Sequence, residues 1–394
     1  MTVSVTNLGI YEFRTFRSYT KMQKSIDSNS RSEQFKRSLR RFYASTQHLK
    51  IGVVNYWRHY IRGQDLMRPL FAIWELTYAC NLDCSYCDDG EGHSYPRQVG
   101  RAQPLPLDDT FRMLSRLRSE VPAIYLSGGE PTSHPHFIEI LHKISQLGFK
   151  PVMLNTNGLL LPRLLKQAPD LFSHIDILIF SLDAISPETL DRLFQSKPGD
   201  GARTLEALEL CLEHARPAGC SIIANCVVTR DTIEDAMDVV RLCRERDIMF
   251  TPVPANKGKG LMHNFKGLPN YQALVEEILA PNGLRLFSDP QVFHILMRFL
   301  PFECHPMIRL HITPDGKVPW PCQSDQHFAL PILEYPSIST LMAEAQSRLS
   351  VQQWGIHCGS PCYLAENVCT YLYATRMLSL LWKVIPGFFS RKGQ

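Results

Sequence analysis

The sequence predicts an α/β fold built on one parallel sheet of six strand–helix units, either doubly wound or curled into a partial barrel. From residue 70 onward, short apolar runs alternate with amphipathic runs. Continuous apolar runs of this length suit parallel strands that are buried on both faces. Successive strand–helix units join through right-handed crossovers. Polar residues follow the first four runs, at the strand ends where such folds carry their active sites.

Each element has a local signal. The apolar runs predict strands at residues 70–77, 123–128, 151–157, 175–183, 221–229 and 248–254. Between them, apolar residues recur at helical spacing over 137–147 and again over 232–246, and Gly148 offers a stop for the first of these helices. Ser186 and Pro187 predict another helix start, as a cap and a first-turn proline.

The bulk properties exclude several classes of protein. The chain has 394 residues, 44% of them apolar, and a formal net charge of +4, which is too balanced to predict a nucleic-acid partner. We find neither an apolar window of about eighteen residues nor the pattern of a signal peptide. Twelve cysteines without a secretion signal predict a cytoplasmic protein whose thiols are metal ligands or core residues.

Three cysteines lie within eight positions directly after the first predicted strand, in "WELTYACNLDCSYCDDG". Their spacing, Cys80-x3-Cys84-x2-Cys87, allows three thiolates to meet at one metal centre. A structural zinc site normally has four protein ligands, and His93 is the nearest candidate for a fourth. A four-iron cluster held by three cysteines instead leaves one iron open to a substrate or cofactor. Zinc remains the alternative for this triplet.

These residues resemble the signature of the radical S-adenosylmethionine (radical SAM) superfamily, including the aromatic Tyr86 before the last cysteine. The motif "SGGEP" after the second strand resembles the turn that meets the methionine amino group of the cofactor in that family. Its residues are Gly128, Gly129, Glu130 and Pro131. The resemblance covers about residues 70–255 and implies a partial (β/α)6 TIM-like barrel.

By position, the resemblance also implies residues near the rest of the cofactor. Ser181 and Asp183 would lie near the ribose, and Asn225 near the ribose or the carboxylate. A strand-end turn is the alternative role for the first two, and a core amide for the third. The implied chemistry begins when a one-electron donor, such as a ferredoxin or flavodoxin, reduces a 4Fe-4S cluster. S-adenosylmethionine is then cleaved to a 5'-deoxyadenosyl radical that takes hydrogen from a substrate.

A second group of cysteines lies near the C-terminus, at Cys304, Cys322, Cys358, Cys362 and Cys369. The stretch 304–322 predicts a β-hairpin around a "PDG" turn with a thiol at each end. The group resembles the twitch or SPASM extension and implies an auxiliary 4Fe-4S cluster. The implied ligands are Cys304, Cys322, Cys358 and Cys362. The CxxxC pair departs from the usual CxxC, zinc is the alternative metal, and Cys369 is an alternative to Cys362.

The chain thus divides into four predicted parts. They are a helical and basic extension (1–69) that is partly disordered, the barrel (70–255), a helical linker (256–303) and the cluster domain with an amphipathic tail (304–394). A peptide, a small molecule and a lipid all remain candidate substrates. The basic aromatic segment 36–62 and the tail could contact a membrane surface, or they could pack on the protein. An electron carrier and a non-catalytic binding barrel are the alternative functions.

Overall fold

The computed structural model describes residues 46–64, 66–89, 92–258, 260–305, 308–350 and 362–376. Within them, the main sheet has seven strands, all parallel, in the order β6-β5-β4-β3-β2-β1-β9. These strands are β1 (Phe71–Thr77), β2 (Ala123–Gly128), β3 (Val152–Thr156), β4 (Ile177–Ser181), β5 (Ser221–Val228), β6 (Met249–Pro254) and β9 (Arg309–Ile312). The described residues from 48 onward form one compact unit.

The described helices precede, connect or follow these strands along the chain. They are α1 (46–56), α2 (Leu107–Arg118), α3 (Phe137–Leu147), α4 (Leu161–Gln167), α5 (Pro187–Phe194), α6 (Asp200–His214), α7 (Ile233–Glu245), α8 (Pro269–Leu279), α9 (Pro290–Met297), α10 (Ile338–Arg348) and α11 (Ala365–Thr375). Gly148 ends α3 with φ 78°, and the Ser186 side chain caps α5 by accepting from the Thr189 backbone N–H at 3.2 Å. The partial barrel and these two helix limits confirm the sequence predictions.

The strand β9 differs from the prediction. Residues 309–312 were expected to form a hairpin with the segment before Cys322, but they pair in parallel with β1, with Ile73 opposite His311. The strand β10 (Lys317–Pro321) instead pairs with β11 (Gln326–Pro331). Leu310 and Ile312 are buried in the main core, so β9 covers an edge of β1 that would otherwise be exposed. The predicted hairpin is therefore wrong, although its turn forms: the Thr313 backbone N–H donates to the Lys317 carbonyl at 2.9 Å.

The region outside the barrel has its own packing. The segment predicted as a linker contains α8, α9 and the short pair β7 (Asn256–Lys257) and β8 (Gly260–Leu261). Side chains of α9 and α11 form a separate small core that includes Phe293 and Val368. Helix α1 continues as a π-helical turn, Trp57–Ile61. None of the described helices combines the length and the hydropathy that crossing a membrane would need.

Candidate functional site

The cysteine loop, residues 78–89, leaves the carboxyl end of β1 and is fixed on the end of α5. The Asp83 backbone N–H donates to the Phe194 carbonyl, and the Ser85 N–H donates to the Leu193 carbonyl, each at 3.0 Å. Leu82 is buried against the same helix. These contacts use backbone groups and an apolar side chain of the loop. The thiols of the triplet therefore remain available as ligands.

The glycine turn after β2 packs directly on the cysteine loop. The Gly129 backbone N–H donates to the Thr77 carbonyl, and the Glu130 N–H donates to the Ala79 carbonyl, each at 2.8 Å. A Cβ atom at Gly129 would lie 2.4 Å from the Ala79 carbonyl oxygen, and one at Gly128, where φ is 115°, would lie 2.4 Å from the Thr77 oxygen. The two glycines are needed here because a side chain would force the two loops apart.

Glu130 joins this turn to the end of β3. One carboxylate oxygen accepts from the Thr156 hydroxyl at 2.8 Å and from the backbone and side chain of Thr132, and the other accepts from the Asn157 N–H at 2.8 Å. The side chain is 1% exposed. Burial raises the pKa of this carboxyl, and the hydrogen bonds oppose that shift. Glu130 therefore connects the chain segments at the ends of β1, β2 and β3. It also lines the cavity described below.

Tyr86 makes the corresponding link to the end of β4. Its hydroxyl donates to one carboxylate oxygen of Asp183, and the other oxygen accepts from the Val227 backbone N–H at 2.6 Å. Asp183 is buried, and burial raises its pKa to about 6. The tyrosine that precedes the last cysteine therefore holds the loop on the sheet through a buried carboxyl group.

These pieces line one cavity of about 280 Å³ at the carboxyl ends of the strands. Its lining includes Asn157 and ten residues that were predicted as ligands or cofactor contacts. These ten are Cys80, Cys84, Tyr86, Cys87, Gly128, Gly129, Glu130, Ser181, Asp183 and Asn225. Pro131 does not line the cavity. It is buried as the first residue of the 3-10 turn Pro131–Ser133. Ser181 and Asn225 are register partners on β4 and β5.

All three thiols of the triplet line this one cavity. A four-iron cluster bound by them would keep one iron open to the cavity. Burial raises the pKa of the Cys80 thiol to about 12, and it also raises the pKa of Cys84 and Cys87. Metal binding here must therefore release protons, because thiolates are the ligands.

Some of the C-terminal thiols, but not all of them, are shown to lie near Cys322. Burial raises the pKa of Cys322 to about 12, and the nearby Cys304 and Cys362 thiols raise it further, whereas Arg309 lowers it. Cys304 and Cys362 therefore each lie close enough to Cys322 to interact with it electrostatically, and Cys358 lies outside the described residues. Cys369 faces elsewhere: it packs in the small core of α9 and α11, with its sulfur 3.5 Å from the Ser288 hydroxyl.

Sequence reasoning missed a buried polar group inside the barrel. Glu75 on β1 is 1% exposed, and its Oε1 accepts from the Tyr95 hydroxyl at 2.7 Å and from the Gln323 amide at 2.5 Å. The His311 Nε2 atom lies 3.4 Å from the same oxygen. A carboxylate within the apolar run 70–77 was the available signal, because a strand buried on both faces has no solvent for it. Gln323, which follows Cys322, also donates to the Asp89 carbonyl and so reaches the cysteine loop.

Residues 74–248 match the family model described as "Radical SAM superfamily". The AdoMet-dependent heme synthase of Methanosarcina barkeri is 28% identical over 195 residues, 48% of this chain and 52% of that protein. The probable GTP 3',8-cyclase of Methanothermobacter marburgensis is 28% identical over 275 residues, 65% of this chain and 85% of that protein. The match to the heme synthase thus spans about half of that relative.

The fold is also found among solved structures. Streptococcus suis SuiB bound to the precursor peptide SuiA superposes with a TM-score of 0.56 at 17% identity, over 77% of this chain and 69% of that chain. At that identity the likeness shows the fold alone. The matched residues run from within β1 to the residue before β6, and they include both the cysteine loop and the glycine turn. On this evidence, residues 74–248 of the chain form a radical SAM domain.

Proposed function

We propose that the chain is a radical SAM enzyme that binds a 4Fe-4S cluster and S-adenosylmethionine in the cavity at the strand ends. The observation that carries the proposal is the meeting of the cysteine triplet and the glycine turn in the wall of one cavity. In this proposal Cys80, Cys84 and Cys87 hold the cluster. When bound, the cluster supplies the electron that cleaves S-adenosylmethionine to a 5'-deoxyadenosyl radical.

The other residues of the cavity bind and orient the cofactor in this proposal. The backbone of Gly128 and Gly129 gives close access to the methionine end, because neither residue has a side chain in the way. Ser181 and Asn225 offer hydrogen-bonding groups at adjacent strand ends for the ribose and carboxylate. The surrounding barrel limits the access of water and of stray hydrogen donors.

The interior of the barrel favours a polar substrate, and we propose a peptide. Glu75 pairs in register with Ser127 on β2, and Asn155 lies at the same level on β3. Among the described residues, the Oε2 atom of Glu75 and the Oδ1 atom of Asn155 are buried without a hydrogen-bond partner. Buried acceptors of this kind need donors, which peptide N–H groups supply and an acyl chain does not. SuiB, of the same fold, binds a precursor peptide.

A second cavity of about 330 Å³ gives the substrate room. Glu75 lines it, together with Arg101 and Lys317, and it shares Asp89 and Gln323 with the first cavity as lining residues. This arrangement places a charged, hydrogen-bonding space beside the proposed radical site. It supports a polar substrate that lies across both cavities.

We also propose that Cys304, Cys322, Cys358 and Cys362 hold an auxiliary 4Fe-4S cluster, and that a ferredoxin or flavodoxin supplies electrons. The proximity of Cys304 and Cys362 to Cys322 supports the auxiliary site. Cys369 packs against the small core of α9 and α11, which supports Cys362 rather than Cys369 as the fourth ligand.

The test of the central proposal is 5'-deoxyadenosine formation by anaerobically reconstituted protein with dithionite and S-adenosylmethionine. We expect product from the wild type and none from Cys84→Ala. An iron-loaded wild type that forms no 5'-deoxyadenosine would point to the electron carrier or binding barrel instead. Synthetic peptides covering short proteins encoded beside its gene should increase product formation, whereas phospholipid vesicles should not.

Peripheral membrane contact is a second proposed property, supported by the surface of α1 and its π-helical turn. Val53, Trp57, Tyr60 and Ile61 are each about half exposed or more. The Arg62 guanidinium lies 4.4 Å from the Trp57 ring centroid, a pairing of cation and aromatic ring that suits anionic lipid headgroups. Flotation with anionic liposomes should require Trp57 and Ile61. The matched control is Phe287→Ser, an exposed apolar residue elsewhere.

A further inference from the structure

A trio of metal-binding side chains lies on the outer helical layer, away from both cysteine groups. His142 belongs to α3, and His174 ends the 3-10 turn Leu171–His174, which follows Asp170 and leads to β4. One ligand atom from each of the three residues lies within 4.8 Å of the others. None of the three lines the cavity of the cysteine triplet, so the trio is independent of the proposed radical chemistry.

The three side chains are already partly organised. The Nε2 atom of His174 lies 3.0 Å from an Asp170 carboxylate oxygen, and the two imidazole rings meet edge to face with centroids 4.7 Å apart. The pKa of Asp170 is lowered chiefly by its hydrogen bond to His174, and the charge of His142 lowers it as well. All three side chains therefore converge on one small volume at the surface.

We propose that His142, Asp170 and His174 form a binding site for a divalent cation of the zinc class. Two imidazole nitrogens and one carboxylate oxygen are ligands that zinc, cobalt and nickel accept. Zinc bonds of about 2.0–2.2 Å require ligand atoms about 3.3 Å apart. The His174–Asp170 pair has nearly this spacing, and one ring nitrogen of His142 lies within 4.8 Å of the ligand atoms of both residues. A water molecule completes four-coordination.

The bound cation would tie α3 to the segment that enters β4. Those elements belong to consecutive strand–helix units, and both pack on the main core through residues such as Ile144 and Phe172. A cation that binds the folded state alone stabilises it by an amount that grows with the logarithm of its concentration over its dissociation constant. The bound cation would thus link two consecutive strand–helix units at the outer surface of the barrel.

The competing explanation is an ordinary ion pair. Asp170 and His174 can stabilise their turn without metal, and histidine rings often meet on protein surfaces. The two explanations differ in one measurable respect, because only a metal site loses cation affinity when the non-adjacent His142 is removed. The aspartate is 63% exposed as a side chain, so Asp170→Asn offers a variant that leaves the core intact.

The experiment titrates the full, iron-loaded chain anaerobically with Co²⁺ and then displaces Co²⁺ with Zn²⁺. Nitrogen and oxygen ligands give weak visible bands, whereas cysteine sulfur adds strong ultraviolet charge-transfer bands, so the spectrum separates this site from the thiols. We expect one Co²⁺ per chain with nitrogen and oxygen character. His142→Ala and Asp170→Asn should each weaken binding at least tenfold. His214→Ala, an exposed histidine of α6, is the matched control.

Zinc should also raise the melting temperature of the wild type and of His214→Ala, and it should not raise that of His142→Ala. Unchanged iron content in all variants shows that each is folded. Equal Co²⁺ binding by wild type and His142→Ala would overturn the proposal, as would a spectrum with sulfur bands alone. Neither result would affect the proposed cleavage of S-adenosylmethionine.

Discussion

The two cysteine groups of this chain are organised in different ways. Cys80, Cys84 and Cys87 lie on one short loop that three parts of the barrel hold in place: the end of α5, the glycine turn and Asp183. Cys304, Cys322 and Cys362 come from three distant segments, after α9, after β10 and before α11. Bringing together thiols from one short loop costs little conformational entropy. Thiols from distant segments meet only after long loops have closed, and the entropy cost of closure grows with loop length.

This difference shows which contacts position the thiols of each group. The barrel forms the first loop through backbone hydrogen bonds and buried apolar contacts, so its thiols converge as part of the fold. The second group depends on how the C-terminal segments dock. We therefore expect the barrel chemistry to survive loss of the second group, whereas damage to the first loop should abolish that chemistry.

The largest expected effect compares one thiol from each group. The wild type should bind about eight irons, and Cys84→Ala and Cys322→Ala should each retain about four. Only Cys84→Ala should lose 5'-deoxyadenosine formation entirely, because Cys322 is outside the cavity that holds the cofactor in our proposal. Iron analysis and chromatography of the product measure both quantities. Stoichiometric zinc in place of the second four irons would mean that the C-terminal group is a structural zinc site.

The next largest effect concerns the contact that orders the first loop. Gly129→Ala places a Cβ atom 2.4 Å from the Ala79 carbonyl oxygen, so the turn and the cysteine loop must separate. We expect a loss of about 3 kcal/mol in unfolding free energy and loss of iron from the first site alone. Gly100→Ala is the matched control, because a Cβ atom there meets nothing within 4 Å. Urea denaturation and iron analysis test this prediction, which fails if the two variants behave alike.

A smaller effect tests Asp183, which holds Tyr86 of the first loop. Burial raises its pKa from 3.8 to about 6. Between these values the folded state binds more protons than the unfolded state, so this carboxyl reduces stability as the pH rises. From pH 5 to pH 8, the wild type should lose roughly 1–2 kcal/mol relative to Asp183→Asn. Urea midpoints at the two pH values measure the difference, and a gap that stays constant would contradict the prediction.

The smallest effect concerns the cysteine that stands apart from the second group. Cys369→Ala removes a sulfur atom from the core of α9 and α11 and should cost about 1 kcal/mol in unfolding free energy. Because Cys362 fills the fourth ligand position in our proposal, the variant should keep all of its iron. A loss of about four irons would make Cys369 a ligand and would require a different assignment of the C-terminal group.

The sequence by itself determined the features that depend on neighbouring residues. The six predicted strands lie within about two residues of the observed ones because apolar runs and turn residues act locally. The cysteine spacing and the paired glycines identified the cavity, since both motifs follow strands whose ends meet at one edge of a parallel sheet. These signals come from covalent spacing and burial, so the chain carries them before it folds.

Only the tertiary structure decided which distant segments meet. The strand β9 reads as half of a hairpin, yet the open edge of β1 and the main core give Leu310 and Ile312 more burial. The same pairing brings His311 to Glu75, a contact between residues 236 positions apart that no local pattern encodes. The contact of Cys369 with the small core of α9 and α11 is likewise set by tertiary packing. Which distant segments pack together depends on how much apolar surface each possible arrangement buries. A short stretch of sequence does not contain that information.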